Sequence, residues 1–267
     1  MRGDRPDSSL AGSDSLSGMN LAVRDGMVLP DLLGLWILPV SAGAGAAAEA
    51  HYAMLDHEER QKAQSFKRAQ DRSSYLVAHI GLRYLLGEFL DASPAELTFK
   101  REPCPLCGGA HGRPMVMSSP SIHFSLSHAG DVVLISLACQ PVGVDVEDAR
   151  LIHWDELLPQ FHPVERSVVE HLPRGERNLA VLNGWVRKEA YLKGLGVGLA
   201  VELDNVQAGL GLPYASPGLT PGWSLAPVKA PEGYAAAVAL LSDGGNLPAA
   251  TIEPNVLDIS GRWAGTF

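Results

Sequence analysis

Apolar positions recur along this chain with two different periods, and the changes of period predict its elements. Residues 32–40 (L-L-G-L-W-I-L-P-V) form a nearly continuous apolar run, which predicts a buried strand. Residues 41–50 are small and read as a loop or a helix start, and 51–66 are helical in spacing but heavily charged. Over 71–90, Tyr75, Leu76, His79, Leu82, Arg83, Leu86 and Phe89 return at three- and four-residue steps, which predicts the strongest helix of the first half. His79 and Arg83 interrupt its apolar face and read as satisfied polar groups of a core. Residues 91–120 are punctuated and irregular.

The period then drops to two. Residues 122–138 predict a hairpin, two apolar runs joined by Ala129-Gly130-Asp131. The strand expected at 142–147 alternates: Val142, Val144 and Val146 face one way, Gly143, Asp145 and Glu147 the other. Two carboxylates side by side repel, so a compensating cation is expected there, with Asp148 as an extension of the acidic corner. Helical spacing resumes at 151–182, broken at Pro159, Pro163 and Pro173, and a helix is expected over 185–196. Strands are expected at 201–206, 223–227 and 234–241. Each half thus repeats strand, helices and hairpin. The fold class expected is α+β, built from two similar α/β halves. The divisions are a disordered leader (1–30), an N-terminal half (31–140), a C-terminal half (141–243) and a tail (244–267).

Composition narrows the classes. A net charge of −9 argues against a general nucleic-acid binder and leaves room for a local basic patch that takes a small anion. The three cysteines, Cys104, Cys107 and Cys139, cannot build a disulfide framework, so a reducing, cytoplasmic setting is expected. No run is long enough to span a bilayer, and the first residues lack an apolar signal core. Cys104 and Cys107, at C-x2-C spacing with His111 nearby, read as half of a zinc site or as a tight turn that carries two thiols.

The helix at 185–196 bears Glu189 and Lys193 four residues apart, one turn from each other on one face. Alone they read as a surface ion pair. Set beside Asp145 and Glu147, Glu189 becomes a third hard oxygen donor of the kind Mg2+ takes, and Lys193 faces the anion such a metal would bind. Basic residues between Arg60 and Arg68, together with Arg113, Ser127 and His128, offer phosphate partners. The set points to phosphoryl transfer on a substrate with several phosphates. No P-loop, kinase signature or dinucleotide fingerprint accompanies it.

At these residues the sequence resembles the 4′-phosphopantetheinyl transferases, in particular the larger type with two pseudo-symmetric halves in one chain. The blocks that carry the resemblance are H-G-R-P at 111–114, F-S-L-S-H at 124–128, G-V-D-V-E at 143–147 and W-V-R-K-E-A-Y-L-K at 185–193. F-K-R-A-Q-D-R at 66–72, with Arg83 beyond, resembles the family's N-terminal helix, and the match spans roughly residues 32 to 241. It implies a monomeric enzyme that moves the phosphopantetheine arm of coenzyme A to a serine of an acyl or peptidyl carrier protein and releases adenosine 3′,5′-bisphosphate. It also implies Asp145, Glu147 and Glu189 as Mg2+ ligands, with Glu189 as the base for the serine proton. Lys193 would stabilise the leaving phosphate, and Ser127, His128, Arg113 and Lys62 would contact coenzyme A.

The sequence departs from the family pattern at Arg113, where many relatives carry Lys, and at Ala129 after the S-H pair. The Cys104–Cys107 segment is not required by that pattern. Rival readings are a non-catalytic carrier-binding module on the same fold, a nucleotide-dependent phosphotransferase and a zinc-dependent binding module. For docking an acidic carrier protein, Arg187 and Lys188 are the expected basic contacts.

Overall fold

A computed structural model describes residues 32–211, 213–214, 218–242, 247 and 250–262. The leader expected at 1–30 and parts of the tail lie outside the described residues. The N-terminal half runs β1 (Leu32–Pro39), α1 (Ala42–Ala50), α2 (His57–Ser65), α3 (Ala69–Leu90), β2 (Phe99–Arg101), β3 (Pro114–Val116), β4 (His123–Ala129) and β5 (Val132–Ala138). The C-terminal half follows with β6 (Val142–Asp148), α4 (Trp154–Leu157), α5 (Pro163–His171), α6 (Arg174–Leu195), β7 (Trp223–Val228) and β8 (Tyr234–Leu241). Two short elements close the described chain, β9 (Asn255–Val256) and α7 (Ile259–Arg262).

The halves are topological copies. In the first, β5 pairs antiparallel with both β4 and β1. In the second, β8 pairs antiparallel with both β7 and β6. Each half also contributes one helix of 22 residues, α3 or α6. The expected α+β pair of halves is therefore the fold observed.

Three apolar clusters set the layers. Leu76, Ile80 and Leu86 of α3 pack on Leu38, Ile135 and Leu137 of the first sheet. Leu35, Ile37 and Leu134 on the other face of that sheet meet Val142, Val144, Val146 and Val238 of the second. Val186 and Ala190 of α6 then cover Ala237 and Ala239. The order is helix, sheet, sheet, helix, with β1, β5 and β8 buried on both faces. Their near-continuous apolar runs follow from that burial.

Two expectations fail. Residues 201–206 form 3-10 turns (Gly198–Ala200, Leu203–Asn205), not a strand. Their carbonyls are taken by a side chain: Lys188 Nζ donates to Leu203 O, 3.2 Å away, and to Val206 O. A strand there would need those acceptors for a ladder. The helix expected from 185 begins at Arg174, because Ala180, Val181 and Leu182 continue its buried side.

Candidate active site

The site lies where the two halves meet, along strands β4 and β6 and helix α6. Ser125 and Ser127 of β4 point at β6: Val144 N donates to Ser125 Oγ at 3.0 Å, and Ser127 Oγ donates to Asp145 Oδ1 at 2.8 Å. Lys193 joins from α6. Its Nζ is 2.6 Å from Asp145 Oδ1 and 2.9 Å from Ser127 Oγ. Residues far apart in sequence thus share one buried carboxylate oxygen.

Gly143 explains how α6 comes so close. A Cβ at this position would lie 1.9 Å from Ala190 O and 2.4 Å from Gly194 N. Helix backbone therefore rests on strand backbone, a contact open only to glycine. The alternation of β6 does the rest. Its valines enter the core between the sheets, and Asp145 and Glu147 are turned toward α6.

Three carboxylates converge here. Asp145 is buried, and Glu147 and Glu189 are half-buried. Trp185 Nε1, one turn before Glu189, donates to Glu147 Oε1 at 3.4 Å. Asp145 Oδ2 and Glu189 Oε1 are buried without a hydrogen-bond partner among the described residues. Burial pushes the Asp145 carboxyl up against the pull of Lys193. Burial and then the Asp145 charge raise Glu147 to about 7, and the same two causes raise Glu189. Orphaned carboxylate oxygens are hard donors of the kind a divalent cation takes, although the oxygens of Asp145, Glu147 and Glu189 do not all lie within 4.8 Å of one another.

A cavity of about 600 Å³ opens beside Lys193. Lys62, Lys100, Arg101 and Arg113 supply basic groups to its wall, and Tyr75, Phe99 and Phe124 supply apolar faces. Asp56, Glu58 and Glu59 also line it, Asp56 and Glu59 paired with Arg83, so cations outnumber the unpaired carboxylates and the cleft suits a phosphorylated organic ligand. Within it Arg113 is already engaged. Its Nε and Nη2 lie 2.9 and 2.6 Å from Glu102 Oε2, and Nη1 donates to Gly194 O at 2.9 Å. Arg113 thus ties the first half to the end of α6. Of the basic residues between Arg60 and Arg68, Lys62 lines the cavity, whereas Arg60 donates to Asp56 O at 3.1 Å. His128, expected as a phosphate contact, is exposed on β4 and is not among the residues that line the cavity; desolvation followed by the Lys193 charge lowers its pKa.

Two family models match the chain. One, described as 4′-phosphopantetheinyl transferase, N-terminal, matches residues 45–140. The other, the 4′-phosphopantetheinyl transferase superfamily, matches residues 141–239. The chain belongs to the 4′-phosphopantetheinyl transferases. It is a transferase, and the boundary between the two matches falls where one observed half ends and the next begins. The HetI 4′-phosphopantetheinyl transferase of Nostoc sp. is 27% identical over 225 residues, which cover 81% of this chain and 91% of that relative. A 4′-phosphopantetheinyl transferase of Bacillus subtilis is 27% identical over 169 residues, 62% of this chain and 70% of the relative. Sfp of Bacillus subtilis strain 168 is 24% identical over 157 residues, 59% and 67% respectively.

Set against this transferase site, the expected residues fall into two groups. Ser127, Asp145, Glu147, Glu189 and Lys193 gather around α6, and Lys62 and Arg113 line the cavity. Asp148 does not extend the acidic corner; its Oδ2 pairs with Arg150 Nη2 at 2.5 Å. Arg187 and Lys188 are not a docking surface. Lys188 is fully buried and paired with Glu165 at 2.6 Å, and Arg187 Nε donates to Ala208 O and Gly209 O. Both hold the loop after α6 in place. Sequence reasoning missed Glu102, which neutralises Arg113, and Ser125, which caps a β6 amide. An F-S-L-S-H strand with every second residue a serine on one face carries the signal for Ser125.

Proposed function

We propose that this transferase moves the 4′-phosphopantetheine arm of coenzyme A onto a serine hydroxyl of an acyl or peptidyl carrier protein and releases adenosine 3′,5′-bisphosphate. The observation that carries the reading is the junction of two features. A pair of orphaned carboxylate oxygens on Asp145 and Glu189 lies beside Lys193, and Lys193 also lines the basic cavity. A substrate with a pyrophosphate fits that junction, with its adenosine end in the cavity and its scissile phosphate beside α6.

Asp145, Glu147 and Glu189 would hold Mg2+, which when bound supplies electrostatic stabilisation to the phosphate oxygens. The chain's own groups do the remaining work. The carrier serine oxygen attacks phosphorus, a P–O bond to serine forms, and the phosphoanhydride bond to adenosine bisphosphate breaks. Glu189 is the acceptor for the serine proton. Its Oε1 has no competing hydrogen bond among the described residues, and burial raises its pKa in the metal-free chain. A cation at the same carboxylate would lower that pKa, which makes ligation its stronger role. Lys193 places its ammonium at the leaving phosphate. Ser127, His128 and Lys62 contact the other phosphates, and Arg113 does so to the extent that Glu102 releases it.

We read the site as complete within one copy and the protein as a monomer that acts in the cytoplasm. No described helix is long and apolar enough to cross a membrane. The test is direct. The protein is mixed with an apo carrier protein, coenzyme A and Mg2+, and the carrier is weighed as an intact chain. The expected product is heavier by one phosphopantetheine. An unchanged mass across several acyl and peptidyl carriers refutes the reading.

A further inference from the structure

The loop that joins β2 to β3 carries a cluster that the transfer chemistry leaves unused. One donor atom from each of Cys104, Cys107 and His111 lies within 4.8 Å of the others. Cys107 Sγ is 3.0 Å from His111 Nε2. The backbone is wound around the sulfurs. Gly109 N donates to Cys107 Sγ at 3.4 Å. The turn closes through Gly108 N to Cys104 O, 2.8 Å, and Cys104 N to Gly109 O, 2.7 Å, with Gly108 in the left-handed region at φ 72°.

We propose that Cys104, Cys107 and His111 form a binding site for a thiophilic divalent cation, with Zn2+ the ion that fits two thiolates and an imidazole. Cys139, the remaining cysteine, is not in the cluster. The three donors leave one position of a tetrahedron to water. The site differs in kind from the carboxylate set at α6, which takes hard cations. Its role is to fix the loop that carries Arg113. Beneath the cluster the loop is already laced together: Gly112 N donates to Glu102 O at 2.9 Å, Glu102 N to Arg113 O at 2.8 Å and Arg101 Nη1 to Gly112 O at 3.1 Å. A metal across residues 104 to 111 closes the open end of that lacing and holds Arg101 and Arg113 at the cavity wall.

The test uses the full chain at rest and does not depend on the transferase reading. The protein is purified under reductant without chelator, loaded with Zn2+, dialysed and measured for metal. About one zinc per chain is expected, retained by Asp145→Asn and weakened by roughly 10- to 100-fold or more in Cys104→Ser, Cys107→Ser and His111→Ala. As a check that does not depend on the folding of a cysteine variant, Co2+ is also loaded into the unaltered chain. A thiolate-to-cobalt charge-transfer band with tetrahedral visible bands supports the site. Substoichiometric zinc without those bands overturns it, as does zinc held equally by the Cys104→Ser and Cys107→Ser chains.

Discussion

Lys193 is paired with Asp145, 2.6 Å away, and not with Glu189 one helical turn back on the same face. The two residues of the E-x3-K spacing therefore have opposite electrostatic standing. Lys193 relieves a buried carboxylate, and Glu189 adds to the negative charge around it. Their substitutions should separate accordingly. Lys193→Met leaves Asp145 without its cation and should lower stability by about 1–3 kcal/mol. Glu189→Gln removes a crowded charge and should raise the midpoint of thermal unfolding in Mg2+-free buffer. Both should abolish phosphopantetheine transfer. Thermal melts beside an intact-mass assay read all of this; a Glu189→Gln chain that melts earlier would show that the carboxylates are not in conflict.

Gly143 should be intolerant of even one methyl group. Its Cβ would meet the Ala190 carbonyl, and a helix backbone cannot rotate out of the way as a side chain can. Gly143→Ala should displace α6 from β6 and carry Glu189 and Lys193 with it. A shift of about 1 Å at reacting groups costs on the order of 100-fold in rate. The expected outcome is a folded chain by circular dichroism with transfer reduced about that much. Near-normal turnover would mean that the site tolerates a looser helix.

The Glu165–Lys188 pair predicts a stability effect where docking was expected. Both side chains are fully buried, and Glu165 Oε1 also accepts Gly209 N at 2.8 Å. Lys188→Met strands a buried carboxylate and should cost about 3–5 kcal/mol in urea unfolding. Lys188→Met combined with Glu165→Leu should recover part of that loss. Neither change should alter affinity for a carrier protein once the chain is folded.

Acid should loosen the N-terminal half through Glu59. Burial pushes this carboxyl up, but hydrogen bonds from His79 and Arg83 outweigh burial and hold it at about 2. Arg83, fully buried, reaches it at 2.6 Å. The folded pKa lies below the ordinary value of 4.5, so the stabilisation is complete above 4.5 and disappears as pH falls toward 2. The amount is on the order of 3 kcal/mol. Glu59→Gln should therefore flatten the fall of stability between those two pH values, which denaturant titrations at several pH values measure.

Much of this was legible in the chain because the period of the apolar pattern is local. The hairpin of β4 and β5, the β6 alternation and the helix of Tyr75 to Phe89 all follow from it. Arg83 is a satisfied core cation, as its place on an apolar face implied, but its partners are Asp56, the N-cap of α2, and Glu59 within it, and no local rule names them. The same limit hid Glu165 behind Lys188. Two residues from different elements neutralise each other in the core, and sequence shows only a lysine on a charged helix. The turns at 201–206 failed for that reason too, since a β-like run lost its carbonyls to a side chain 15 and 18 residues upstream.

The short strand β9 has a consequence for how the chain is made. It pairs in parallel with β1, with Asn255 Nδ2 donating to Leu35 O across 220 residues of sequence. Just before it, Ile252 bridges Val228 of the second sheet. The outer edge of the first sheet is thus built from residues synthesised after both halves. Until then β1 presents an open edge to any other extended chain. The N-terminal half is completed by a strand from beyond the C-terminal half, and a chain cut short after β8 should carry a self-association hazard that β9 removes.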